Sequence, residues 1–124
     1  MKTILLIEDD TALRENTAEL LELSNYEVIT APNGKIGIQK ALQEKPDIVV
    51  CDIMMPEVDG YGVLEALAKN QHTQNVPFIF LSAKTEHKEI RKGMDLGADD
   101  YLTKPFDEEE LISAVESRLA KAKI

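Results

Sequence analysis

Three runs of four apolar residues, 4–7, 48–51 and 78–81, each stop at a polar group: Glu8, Asp52 and Ser82. Runs without polar alternation read as strands covered on both faces, the pattern of a parallel sheet. Further short strands are predicted at 26–31, where Val28, Ile29 and Thr30 are β-branched, and at 99–103, just ahead of Lys104-Pro105-Phe106. Between these runs the period lengthens to that of a helix. Leu13, Thr17, Leu20 and Leu21 share one face over 11–24, with Asp10 or Thr11 as cap. A helix over 35–44 contains Gly37 and ends at Lys45-Pro46, and one over 60–69 aligns Val63, Leu64 and Leu67. The spacing predicts a fourth helix over 85–97 with Ile90, Met94 and Gly97 inward. A fifth, over 107–120, carries Leu111, Ile112, Val115 and Leu119 as its buried stripe. Acids open that helix and basic residues close it, as the helix dipole prefers.

Five strands alternating with five helices imply one α/β domain over residues 1–124. Its sheet is parallel, its crossovers right-handed, and helices cover both faces. Composition narrows the chemistry further. A net charge of −9 spread along the chain argues against binding a nucleic-acid backbone and is compatible with a divalent cation. The single Cys51 lies within an apolar run and reads as a small core residue. The apolar start breaks at once into Glu8-Asp9-Asp10, and no stretch approaches membrane-spanning length, so a cytoplasmic location is expected.

Candidate chemistry follows from the strand ends. In a parallel sheet Glu8-Asp9, Asp52, Ser82 and Lys104 all arrive at one edge, and that edge is where open α/β sheets bind ligands. Taken singly each has a plain structural use: a helix cap, a turn aspartate, a surface lysine. At four of five strand ends together, these uses no longer suffice. Three carboxylates there would repel one another and raise one another's pKa unless a cation offsets them, and an all-oxygen donor set suits Mg²⁺ or Mn²⁺. A carboxylate beside a divalent cation, with a lysine and a hydroxyl nearby, suits phosphoryl transfer to that carboxylate. No glycine-rich phosphate loop is present, which disfavours nucleotide binding.

These residues resemble the response-regulator receiver domains of bacterial two-component signalling. The resemblance runs through Ile4 to Asp10, Asp52-Ile53-Met54-Met55-Pro56 with Asp59-Gly60, Ser82-Ala83, and Gly97 to Phe106, in the family's order and spacing. It implies a doubly wound, flavodoxin-like sheet of strand order 2-1-3-4-5. It also implies Asp52 as phosphoacceptor, with Mg²⁺ held by the Asp9 and Asp52 carboxylates, the Met54 carbonyl, and Glu8 through a water. Lys104 would pair with the carboxylate or phosphoryl oxygen, Ser82 would hydrogen-bond the phosphoryl group, and Tyr101 would be an aromatic switch following Ser82. The resemblance implies a cis Lys104–Pro105 peptide. The donor would be a phosphohistidine on a sensor histidine kinase or phosphotransfer protein, and the target a downstream output domain or protein.

Two alternatives remain at this point. An aspartyl phosphatase shares the cation and carboxylate logic but usually needs a second Asp close after the nucleophile, where Met54 stands. A receiver-like module that never turns over phosphate is disfavoured by the intact Asp52 and Lys104. The resemblance also implies, for receivers joined to winged-helix DNA-binding domains, a charged dimer face on the fourth helix, fifth strand and fifth helix. Here Ala114 stands where that face carries an arginine, so a tight dimer of that type is not expected.

Overall fold

The computed structural model describes residues 1–83 and 87–122. The elements run β1 Thr3–Ile7, α1 Thr11–Leu23, β2 Glu27–Ala31, α2 Gly34–Glu44, β3 Ile48–Asp52, α3 Gly60–Ala68, β4 Phe78–Ser82, α4 His87–Asp95, β5 Asp100–Thr103 and α5 Glu108–Ala122. All strand pairs are parallel and the order is β2-β1-β3-β4-β5, as the resemblance implies. No helix among the described residues is long and apolar enough to cross a membrane.

Side chains alternate across a strand, so each apolar run feeds both faces of the sheet. Leu5, Ile7, Val49, Cys51, Phe78 and Phe80 enter one core with Ala41 of α2 and Tyr61, Val63, Leu64 and Leu67 of α3. Ile4, Leu6, Ile48, Val50, Ile79 and Leu81 enter the other with Leu21 of α1 and Leu111, Val115 and Leu119 of α5. The central β3 is buried along its whole length, which is why it shows no polar alternation.

The helix starts follow capping chemistry. Asp10, Asn33 and Asp59 each accept a backbone N–H three residues on, from Leu13, Ile36 and Gly62. Asp107 and Glu110 exchange such bonds reciprocally at the head of α5 (Glu110 N–H to Asp107 Oδ1, 2.7 Å). At the other side of the sheet the Asp99 carboxylate accepts the Phe78 N–H at 2.8 Å, which begins the pairing of β4 with β5.

The fourth helix departs from the sequence expectation, and residues 85–86 of the expected span lie outside the described residues. Ile90 is half-buried, but Met94 is 43% exposed and Gly97 lies beyond the helix. Gly97 adopts φ +107 while its N–H reaches Met94 O and the Ala98 N–H reaches Gly93 O, the paired bonds of a Schellman stop. The inward glycine is Gly93: a Cβ there would sit 2.8 Å from the Phe80 ring. An apolar-residue count misses this, because close approach selects the smallest residue, not the most hydrophobic.

Lys45 ends α2 at φ 49 and ψ 64, in the left-handed region that costs a non-glycine residue free energy. Lys45→Gly should therefore raise stability by about 0.5–1 kcal/mol. An unchanged or lower urea midpoint would contradict this.

Candidate phosphoacceptor site

The strand register assembles the site. Ile7 pairs with Cys51, Asp52 with Leu81, and Ser82 with Thr103, so the next polar residues of β1, β3, β4 and β5 meet at one edge. Backbone bonds continue past the strands: Glu8 N–H to Ala31 O, Ile53 N–H to Leu81 O, and Lys104 N–H to Ser82 O.

Carboxylate oxygens of Glu8, Asp9 and Asp52 lie within 4.8 Å of one another. Glu8 and Asp52 are 1% and 4% exposed, whereas Asp9 faces solvent. Two nearly buried carboxylates need a counter-charge. Lys104 supplies it, with Nζ 2.7 Å from Glu8 Oε1 and 3.1 Å from Asp52 Oδ1. Burial alone would lower the Lys104 pKa. The hydrogen bond to Glu8 and the charge of Asp52 outweigh it, and the ammonium is held above its usual value. The Lys104–Pro105 peptide is cis. Although its surface faces solvent, Asp9 is raised above the usual 3.8, first by partial desolvation beside the protein and then by the hydrogen bond and charge of Glu8.

The structure thus brings together Glu8, Asp9, Asp52 and Lys104. Ser82 is fully buried at the end of β4. Tyr101 lies beside Phe80 in the β4–β5 register, its half-buried ring packed against the first core. Met54 follows in the loop with its side chain 59% exposed. Asp10 is diverted to capping α1, as expected for one of the three consecutive acids.

Two features were not anticipated. Glu8 contacts Lys104 directly and is its nearer partner. Arg14 donates from Nη1 to the Glu8 carbonyl at 2.8 Å and so ties α1 to the β1 end. The only sequence signal for Arg14 was a basic residue adjoining the inward Leu13.

Gly60 closes the loop behind Asp52. Its N–H reaches Ile53 O at 2.9 Å, and a Cβ on it would lie 2.6 Å from the Asp52 carbonyl oxygen and 2.8 Å from Ile53 Cα. These are backbone atoms and have little room to yield.

An all-carboxylate donor set of this size and openness fits a hard divalent cation such as Mg²⁺. It offers none of the nitrogen or sulfur donors that zinc and copper favour.

Residues 4–116 match a family model described as the response regulator receiver domain. The chain is 39% identical over 121 residues to the DNA-binding dual master transcriptional regulator RpaA of Synechocystis, covering 98% of this chain and 50% of that one. It is 39% identical over 123 residues to the alkaline phosphatase synthesis transcriptional regulatory protein PhoP of Bacillus subtilis, covering 99% and 50%. The chain spans about half the length of the curated relatives it matches. Among solved structures it is similar to a response regulator of Chloroflexus aurantiacus, with TM-score 0.92, 32% identity, and 96% and 98% of the two chains covered. It is also similar to the receiver domain of a Pseudomonas aeruginosa sensor histidine kinase, which is described with a magnesium ion coordinated in its active-site cleft. There the TM-score is 0.89 at 25% identity, covering 96% and 98%.

Two measurements check the site. Gly60→Ala should cost about 1–3 kcal/mol in a urea melt, as overpacking against backbone does; a neutral result would contradict the close approach. The raised Asp9 pKa means that ionising it opposes folding. Its favourable contribution is complete below its usual 3.8 and lost as pH rises through the raised value. In metal-free buffer Asp9→Asn should therefore melt higher than wild type at about pH 7, and the gap should close at about pH 3. A lower melting temperature at neutral pH would refute the assignment.

Proposed function

The chain belongs to the response regulator receiver domains, which signal through phosphorylation, and from that membership we propose that its residues 1–124 form a receiver that accepts a phosphoryl group on Asp52. The observation that carries this reading is the nearly buried Asp52 carboxylate at the end of the central strand. A lysine ammonium lies 3.1 Å away and two more carboxylates adjoin it.

Asp9 and Asp52 would hold Mg²⁺ by their carboxylates, Met54 by its main-chain carbonyl, and Glu8 through a water; Mn²⁺ is an acceptable substitute. When bound, the cation supplies neutralisation of the charge on the transferring group. An Asp52 oxygen takes the phosphoryl group from a phosphohistidine. The phosphorus–nitrogen bond breaks as the oxygen–phosphorus bond forms, and the imidazole leaves with the electron pair. Lys104 neutralises phosphoryl oxygen charge from the position it already holds beside Asp52. The Ser82 hydroxyl donates a hydrogen bond to the phosphoryl group, and Tyr101 follows the move of Ser82. Water later hydrolyses the acyl phosphate, so the chain takes part in its own phosphorylation and dephosphorylation without being an enzyme in the ordinary sense.

The donor would be a sensor histidine kinase or histidine phosphotransfer protein in the cytoplasm. An apolar groove of about 460 Å³ beside the site, lined by Leu13, Thr17, Leu20, Pro105 and Phe106 among others, suits a helix carrying that histidine. The output would be a downstream domain or protein, a reading supported by relatives named transcriptional regulators of which this chain spans about half.

Incubation with acetyl phosphate and Mg²⁺ should add a single base-labile phosphoryl group, read by intact mass. Asp52→Asn should gain none while keeping its fold. A labile phosphoryl group on the Asn variant would show that Asp52 is not the acceptor. Repeated turnover of a small phosphoester would favour the phosphatase instead.

A further inference from the structure

Helix α4 has little of its own to hold it in place. Its sequence is largely charged, and it carries a glycine at Gly93, a poor helix former. Ile90 is only half-buried and Met94 is turned out. The Arg91–Asp95 pair is long, at 3.9 Å, and exposed, so it contributes little. Beyond the close approach of Gly93 to the Phe80 ring, a side chain from α3 fastens the helix. Tyr61 is 6% exposed, and its ring lies edge-on to Phe80 at 5.3 Å between centroids. Its hydroxyl donates to Glu89 Oε2 at 2.7 Å and lies 3.1 Å from the Glu89 carbonyl. Lys92, one turn on, places its ammonium 4.4 Å above the same ring. A phenol donating to a carboxylate is a strong form of hydrogen bond, and burial strengthens it.

This fastening is positioned to bear on the switch. Only residues 83–86 separate Ser82 from the first residue of α4. Phe80, against which Tyr61 packs, pairs in register with Tyr101. On the receiver reading, a move of the Ser82 hydroxyl toward a phosphoryl group on Asp52 would act close to the start of α4. A bond made in one arrangement of α4 and not in another shifts the balance between them by its differential stability.

We propose that the Tyr61–Glu89 bond, braced by Lys92, is a latch that holds α4 on β4 and biases the domain toward its resting state. The proposal rests on the receiver reading for what the latch regulates. It does not rest on that reading for whether the latch exists.

The first test therefore needs no phosphoryl donor. Amide hydrogen exchange across residues 87–95 should quicken about five- to tenfold in Tyr61→Phe, which keeps the ring and removes the hydroxyl, with β1 and β3 unchanged. Glu89→Ala should match it, and the double variant should add nothing to either single one. Glu89→Gln, which retains an acceptor, should restore most of the protection. Unchanged exchange in Tyr61→Phe, or single effects that multiply in the double variant, would overturn the latch. The second test titrates beryllofluoride with Mg²⁺, and Tyr61→Phe should bind about two- to fivefold more tightly than wild type. Equal affinity would overturn the coupling to the switch. A wild-type protein that binds no beryllofluoride would instead sink the receiver reading, and the exchange result would still decide the latch.

Discussion

One ammonium group permits the rest of the site. Glu8 and Asp52 come from neighbouring strands and are almost wholly removed from water. Without a counter-charge, two such carboxylates would oppose the β1–β3 pairing that brings them there. Lys104 arrives from the far edge of the strand order, carried by β5 and held at its backbone by Ser82 O. Its reach across to both acids means that the site is assembled by the completed sheet and by no single hairpin or helix. Under the proposed function a reactive carboxylate is stored this way, and a cation or a phosphoryl group would redistribute charges already in place.

The sheet was legible in the sequence because its central strands are buried on both faces. Burial on two sides leaves no polar alternation, so Ile48 to Cys51 and Phe78 to Leu81 announce themselves as runs. The polar stop after each run then gives the site residues, since parallel strands deliver their ends to one edge. The cap at Asp10 and the stripe of α5 were readable for a similar reason: each is a local interaction with a fixed spacing.

Contacts set by distance between elements were not readable. Gly93 faces inward because a ring from β4 occupies the space that a side chain would need, and nothing within α4 records that ring. The direct pairing of Glu8 with Lys104 joins residues 96 positions apart and depends on side-chain length as much as on strand order. The acids on the fourth-helix, fifth-strand and fifth-helix face met the same limit. Asp99 is engaged with the Phe78 N–H, Asp100 lies 3.6 Å from Arg118, and Ala114 is buried against the sheet. These acids belong partly to the fold's internal bonding, which their position in the sequence does not disclose.

The division of the apolar residues into two cores has a further consequence. The groove beside the site is built on the α1 side of the sheet, and the Tyr61–Glu89 contact lies on the opposite side. The two regions share no lining residue, and the β-sheet stands between them. Under the proposed function, a donor docked in the groove and a partner reading α4 would meet opposite faces of the domain. On that reading the domain would be charged while already engaged with its target, and response time would not include a separate search for it.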